Sequence, residues 1–405
     1  MKIGWIDFSA SERSKVLSII DLLSEDGTLD ELGIAPIRDG FANIFFPGTS
    51  TIQTRAKYFL IVPYALLELE RSKETNPKII RERLNEMERK CGEVLLKNSD
   101  DGVIGRLVLK SGGWVKRPPV DIYWAGIRQY GIFAGGNLSL SEYIRATCAL
   151  KAQKAVIQKL GNRKDVVEEN EQDDSDSGGL FSTQFWRLPE YDRKNWLERL
   201  RIELAPAEAL FLKAQIIKHC EGSILAFLLV NGRRDVLQMN GFEQMARDMG
   251  SFFPEAIRKD IQLAREFSDF NYGARIRYNV ILSCGKNVTA NKEWEKFNTD
   301  ILKLSAIDIE AVFRRLSINN YTLRRFLVDI QNCMQSGDIE GMDKKLIQRE
   351  CQLKGPSRAK LMHPGEFGDD KWVGGGQLDY RFGSAIRHIR DIFDGEAENY
   401  VETIN

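Results

Sequence analysis

The sequence lacks the cysteine and histidine patterns that mark metal sites. Its six cysteines are widely separated without a Cys-x-x-Cys pair, and its three histidines lie far apart. Zinc ligands come at short, regular spacings, so the sequence predicts no metal site, and we expect no cofactor. Scattered cysteines without a pairing pattern also fit reduced thiols in a cytoplasmic protein.

Long apolar runs and an excess of one charge are also missing. The longest apolar run, residues 58–67, is about half as long as a bilayer-spanning helix. The first residues do not have the pattern of a secretory signal. Lys plus Arg and Asp plus Glu both number 58 in the 405 residues, so no net field draws the whole molecule to a polyanion. We therefore expect a cytoplasmic protein without membrane contact, whose nucleic-acid contacts are local.

Three common catalytic motifs do not occur. Gly-x-Ser-x-Gly, His-Glu-x-x-His and Gly-x-Gly-x-x-Gly are all absent, so hydrolase, zinc-peptidase and dinucleotide-binding interpretations have no motif support. On these grounds we lean toward a protein that is not an enzyme.

Helical patterns dominate what is present. Asn76-Pro77 and the capping box Ser139-x-x-Glu142 each predict a helix start. A further box at Ser50-x-x-Gln53 predicts another start, with Pro63 kinking or interrupting that helix. The segments beginning near five later residues also show helical periodicity: Pro206, Pro254, Asn291, Ile307 and Tyr321. A first helix is predicted from about Ser11 to Ser24.

Strand signals are few, and the best one lies between residues 103 and 115. Two apolar runs flank a Lys-Ser-Gly-Gly turn there, which predicts a β-hairpin. Together with the preceding helix it suits a winged-helix-like unit over residues 77–133. The predicted fold class is mainly α, or α+β with this small hairpin. The alternative is an ordinary packed unit in which Trp114, Tyr123 and Trp124 fill the core.

An acidic stretch divides the predicted domains. Residues 165–177 contain seven Asp and Glu and no Lys or Arg, a composition that cannot bury itself. We predict an N-terminal domain at 1–160, a flexible linker at 161–185 and a C-terminal helical domain at 186–405. A solvated loop within one domain is the alternative.

Two groups of residues before residue 56 are candidates for chemistry. Gly48, Thr49, Ser50 and Thr51 stand where a helix is predicted to start, and free backbone amides there favour a phosphate. The turn lacks the P-loop spacing and fits equally a cap on its own helix.

The second group consists of charged residues in the same segment. Asp30, Glu31 and Asp39, with Arg38 and Arg55, are the candidate catalytic cluster, in which the carboxylates supply acid, base or metal ligand. Ion pairs that fix a loop explain these residues equally well.

Two basic segments are candidate nucleic-acid contacts. The first contributes Arg106, Lys116, Arg117 and Arg128. The second runs from residue 342 to 360, and we single out three of its residues: Lys354, Arg358 and Lys360. Each segment is also consistent with a solvated face beside structural ion pairs.

Several phrases of the sequence resemble one bacterial family, the domain-of-unknown-function family 6361. They occur on both sides of the acidic stretch and are densest between residues 29 and 63. Examples are GWIDFS from Gly4, FPGTSTIQTR from Phe46, PVDIYW from Pro119 and LDYR from Leu378. The resemblance implies a setting in anti-phage defence clusters, beside helicase-like and phospholipase-D-like nuclease proteins, and it assigns no catalytic residue.

Three functional hypotheses follow. The favoured one is an accessory, non-catalytic subunit of a defence system that binds DNA or a helicase or nuclease partner. The alternative is a nucleotide- or nucleic-acid-processing enzyme with its site around residues 30–55. A third is a DNA-binding regulator that uses residues 77–133.

Overall fold

The computed structural model describes residues 30–99, 101–161, 185–366 and 369–402. Within these ranges every regular element is a helix, and the β-type pairing is limited to one isolated antiparallel bridge, between Phe133 and Trp186. The prediction of a mainly helical protein is confirmed. The predicted helix from Ser11 to Ser24 lies outside the described residues.

The helices vary widely in length. The first six are α1 (Ala35–Phe45), α2 (Tyr58–Arg71), α3 (Pro77–Asn98), α4 (Arg106–Lys110), α5 (Pro119–Gln129) and α6 (Leu140–Gly161). The later ones are α7 (Pro206–His219), α8 (Ile224–Val230), α9 (Phe242–Met249), α10 (Glu255–Leu282), α11 (Val288–Thr299), α12 (Ile301–Leu304), α13 (Ile309–Leu316), α14 (Tyr321–Ser336), α15 (Ile339–Lys354) and α16 (Phe382–Glu402). Short 3-10 helices occupy Arg234–Gln238, Gly250–Phe252 and Lys360–Met362.

The chain divides into two compact units, each built from two separate stretches. Unit A contains the residues up to Ala42 together with Phe242–Tyr380. Unit B contains Asn43–Gly241 together with the chain from Arg381 onward. Residues on both sides of the predicted linker at 161–185 therefore fall in unit B. Nearly all of that linker lies outside the described residues, so the linker itself stays a prediction.

Two of the predicted helix starts are confirmed in atomic detail. The Asn76 side chain accepts a hydrogen bond from the Lys78 amide at 2.9 Å, with Pro77 as the first residue of α3. At α6, the Ser139 hydroxyl accepts from the Glu142 amide at 3.2 Å, and the Glu142 carboxylate accepts from the Ser139 amide at 2.9 Å. These side chains satisfy amides that have no partner within the helix.

The helix predicted to begin at Ser50 begins instead at Tyr58. Half of the expected capping box forms, because the Ser50 amide donates to the Gln53 side chain at 3.0 Å. The chain then continues as a loop to Lys57. Pro63 lies inside α2 without ending it.

The predicted hairpin at 103–115 is wrong, and with it the winged-helix-like unit at 77–133. Gly105 has a φ of +73° and turns the chain after Ile104, and residues 106–110 then form the short helix α4. A single helical turn lets Leu109 reach the interior, where it is buried. The apolar residues of this segment are too few to separate a strand from a helical turn by periodicity.

One helix in each unit buries more than half of its residues. In unit B, α2 is buried on nearly every side and packs against α3 and α5. In unit A, the 28-residue α10 packs against α11, α13 and α15 and buries polar as well as apolar side chains. The polar ones belong to the candidate site.

Candidate functional site

Buried charged side chains form a network around Glu31 in unit A. The Glu31 carboxylate lies 3.0 Å from a guanidinium nitrogen of Arg275 on α10 and 3.1 Å from the Lys360 ammonium. The Lys354 ammonium, at the end of α15, is 3.8 Å from the same carboxylate. Glu31 therefore faces three positive charges.

A second buried carboxylate, that of Glu350, completes the network. It accepts hydrogen bonds from the Lys354 ammonium at 2.9 Å, the Tyr278 hydroxyl at 2.8 Å and the Leu361 amide at 2.9 Å. Glu350 and Lys354 are four residues apart, so they share one face of α15. Lys354 thus bridges the two carboxylates. We call Glu31, Arg275, Glu350, Lys354 and Lys360 the unit A ion network.

The environment shifts the pKa of Glu31 downward. Burial by itself would raise the pKa of this carboxyl, but hydrogen bonds from its own backbone and from Lys360, with the charges of Arg275 and Lys354, outweigh burial. Glu31 is thus held as a carboxylate. A carboxylate so compensated is suited to fixing the chain, not to accepting a proton at neutral pH.

Arg349, also on α15, holds the same loop. Its Nε donates to the Leu32 carbonyl at 2.9 Å, and its guanidinium lies 5.2 Å from the centre of the Phe326 ring. Burial lowers the pKa of Arg349, and the charge of Asp30 opposes that shift. Much of the positive charge of the basic segment at 342–360 is thus buried or paired inside unit A.

Asp30 and Asp39 make contacts close by in the sequence, and Asp30 also lies 3.9 Å from the Arg275 guanidinium. Asp30 accepts hydrogen bonds from the amides of Leu32 and Ala35, and so caps the start of α1. Asp39 forms a two-pronged ion pair with its neighbour Arg38, with distances of 3.1 and 3.2 Å.

Arg55 belongs to unit B, whereas the candidate carboxylates belong to unit A. Its Nε donates to the Asp391 carboxylate of α16 at 2.8 Å, and the Ala56 amide donates to the other Asp391 oxygen at 2.7 Å. Burial raises the pKa of Asp391 to about 6, against the charge of Arg55. Arg55 and Asp391 fix the loop before α2 to α16.

The candidate phosphate turn bonds mainly to itself. The Thr49 hydroxyl and amide both donate to the Phe46 carbonyl, at 2.6 and 3.3 Å. The Ser50 amide donates a hydrogen bond to the Gln53 side chain, and Thr51 is exposed. Because α2 begins at Tyr58, the free amides of a helix start are not located at this turn.

Gly48 lets this turn approach the aromatic core of unit B. Its φ is +78°, and a Cβ atom there would come within 2.5 Å of the Tyr130 ring. Arg381 donates to the Thr49 carbonyl and to the Asn43 side chain, both at 2.8 Å. The glycine of the phosphate hypothesis thus has a packing role.

The first basic segment presents its charges outward. Arg106 and Lys116 are exposed and Arg117 is half-buried. Lys110, between them, is exposed as well. Arg128 is half-buried on α5, and its guanidinium donates to the Asn137 side chain at 3.1 Å.

The second basic segment exposes fewer of the basic side chains that were predicted to contact nucleic acid. Lys354 is buried and Lys360 is bound to Glu31, so Arg358 is the exposed member of the three predicted contacts. Arg358 donates to the Lys354 carbonyl at 2.9 Å and thereby caps the end of α15.

The comparison with family models concerns the part of the chain that carries α1 to α5 and the candidate turn. Residues 1–151 match the model of DUF6361, a family of unknown function. No match is found among curated proteins or among solved structures. The DUF6361 match includes Asp30, Glu31 and the first basic segment, and it ends before Arg275 and Lys354.

Glu88, within the DUF6361 match, is a buried group that sequence reasoning missed. It is fully buried on α3, where one carboxyl oxygen accepts from the Val120 amide at 2.6 Å. The other oxygen has no hydrogen-bond partner among the described residues. Burial, opposed by the Val120 bond, raises the pKa of Glu88 to about 8. Its position four residues after Leu84 on the apolar face of α3 was the available signal.

His388, outside the DUF6361 match, is a second such group. It is buried on α16, and its ring centre lies 5.2 Å from that of Phe59. Burial, with the charge of Arg387, lowers the pKa of His388 to about 3. Its spacing from Ile392 on one helical face indicated burial.

Among the described residues, no three His, Cys, Asp or Glu side chains are grouped so that they could hold a metal ion. In the same part of the chain, no helix has the length and apolar character needed to cross a membrane.

Proposed function

We propose that the protein is an accessory, non-catalytic subunit of a bacterial anti-phage defence system, and that it binds DNA through the first basic segment of unit B. Helicase-like and phospholipase-D-like proteins are its proposed partners. The DNA contact is assigned to the exposed Arg106, Lys110 and Lys116, with Arg117 beside them.

The observation that carries this proposal is the contrast between the two basic segments. In residues 342–360, Lys354 and Lys360 are paired with the Glu350 and Glu31 carboxylates of the unit A ion network. In residues 102–120, no Asp or Glu occurs, and three of the four basic side chains are exposed. Lys and Arg side chains that neutralise DNA phosphates release the counterions condensed on the duplex, and exposed basic side chains are placed where a duplex can reach them.

The contacts of the 30–55 residues favour binding over catalysis. Asp30, Glu31 and Arg55 each hold a loop or a helix end, through bonds within their own unit. The enzyme alternative stays a prediction, to which the contacts of these described residues add no support.

DNA binding is tested by titrating a labelled duplex with the full-length protein at several salt concentrations. We expect the triple variant K110A/K116A/R117A to bind more weakly. We also expect the slope of log affinity against log salt to fall by roughly one for each lost phosphate contact.

A matched control removes three exposed lysines of unit A, in the variant K292A/K303A/K344A. It loses the same net charge and should keep the wild-type slope. Equal slopes for wild type and K110A/K116A/R117A would refute the assignment, as would equal losses in the two triple variants.

A further inference from the structure

The short helix α4 exposes an apolar tip. Leu107 is 75% exposed, the highest value for a large apolar side chain among the described residues, and Val108 is 41% exposed. An isolated exposed leucine is ordinary, but this one sits within the basic segment already proposed to meet DNA.

Contacts with the rest of unit B hold the tip in place. Leu109, two residues on, is buried and faces α3 at Gly92, where an added Cβ would come within 2.8 Å of it. The Ile104 amide, just before α4, donates to the Tyr58 hydroxyl at 2.9 Å. After α4, Arg89 donates to the Gly112 carbonyl at 3.2 Å. The apolar tip is thus fixed at both ends, which lowers the entropy cost of inserting it into a partner.

Exposed basic residues lie close to the tip in the sequence. Arg106 and Lys110 lie on α4 itself, and Lys116 follows the Gly112 turn. Exposed apolar and basic side chains within one short segment complement a ligand that offers an apolar slot next to negative charge.

We propose that Leu107, with Val108 beside it, is a wedge that inserts between base steps in the minor groove of duplex DNA and bends it. This inference rests on the proposed function and names its substrate, double-stranded DNA. Apolar wedges flanked by Arg and Lys unstack a base step and kink the duplex by roughly 20–90° toward the major groove.

Single-stranded DNA fits this surface less well. Binding single strands relies on aromatic faces on which bases stack. Trp114, the aromatic residue of the segment, bonds to the Asn85 side chain at 2.7 Å and lies over Gly92 of α3. Tyr123 and Trp124 are buried. The exposed contact is aliphatic, which suits insertion into a step and not stacking.

The wedge is tested by energy transfer between fluorophores at the two ends of a short duplex, with binding followed on the same sample. Wild type should shorten the end-to-end distance on binding. Leu107→Ala should lose most of that shortening while the affinity falls by less than about tenfold, because the phosphate contacts remain. Leu107→Met should restore the bend.

The control Leu302→Ala removes a leucine of unit A that is 64% exposed, and it should bend DNA like wild type. Wild type that binds duplex without bending it, or L107A that bends it fully, would overturn the wedge and leave the proposed function standing. Wild type that binds no DNA would overturn both. A preference for single strands, or an L107A defect seen only with anionic phosphatidylserine vesicles or a partner protein, would overturn the wedge as well.

Discussion

At the residue scale, burial decides what each charged side chain does. Lys354 and Arg358 are four residues apart in one basic run, yet Lys354 is enclosed between two carboxylates and Arg358 faces solvent. Sequence reasoning predicted both as DNA contacts because their local composition is the same. Only the positions of Glu31 and Glu350, one of them over three hundred residues away, distinguish them.

Lys354→Ala should destabilise the protein strongly. The change leaves the buried Glu350 and Glu31 carboxylates short of a positive charge, and breaking a buried pair typically costs about 3–5 kcal/mol. Denaturant unfolding should show this loss in the free energy of unfolding. Lys344→Ala, an exposed position on the same helix, should lie within about 0.5 kcal/mol of wild type. Similar values for both variants would mean that the unit A ion network contributes little.

Glu88 should make stability fall as the pH rises. In the unfolded chain this carboxyl loses its proton near pH 4.5, whereas in the folded protein burial holds its pKa at about 8. Between these values the folded state binds more protons, so raising the pH favours unfolding, by up to about 1.4 kcal/mol per pH unit. Below pH 4.5 the contribution is constant.

Glu88→Gln keeps an oxygen that accepts from the Val120 amide and removes the titration. The free energy of unfolding of this variant minus that of wild type should increase from pH 5 to pH 8. Denaturant unfolding at several pH values measures the difference. Parallel curves for the two proteins would show that Glu88 is ionised in the folded state.

At the element scale, two helix starts follow from local chemistry, whereas the conformation of residues 103–115 does not. Asn76 and Ser139 cap their helices with their own side chains, so the sequence alone was sufficient. Residues 103–115 carry two apolar runs that suit either a strand or a helical turn. The choice is made by Gly105 and by the space that Gly92 of α3 leaves for Leu109.

Gly105→Ala should therefore destabilise α4 and its surroundings. The residue has a φ of +73°, and an added Cβ would meet Val115 at 2.4 Å. Backbone strain and overpacking together predict a loss of about 2–4 kcal/mol in the free energy of unfolding. Gly136→Ala has a similar φ of +65° with no atom within 4 Å, and should lose only about 1–2 kcal/mol. Thermal or denaturant unfolding of both variants separates packing from backbone strain, and equal losses would contradict the packing account.

At the scale of the whole molecule, the chain builds each unit from two distant stretches. Unit A joins residues around 30–42 to Phe242–Tyr380, and unit B joins Asn43–Gly241 to the chain from Arg381. Sequence reasoning divides a chain where composition changes, as it does at the acidic stretch. A local sequence pattern does not indicate that one segment packs against another that is about two hundred residues away along the chain.

The sequence by itself determined the helical class, several helix starts and the absence of a long apolar span, because these depend on periodicity, capping residues and composition within a short window. Tertiary structure alone decided which charges are buried. Glu31 meets Arg275 and Lys354, Arg55 meets Asp391, and Leu107 stays exposed. The ion pairs depend on partners far away along the chain, and all three outcomes are set by how the helices of each unit pack.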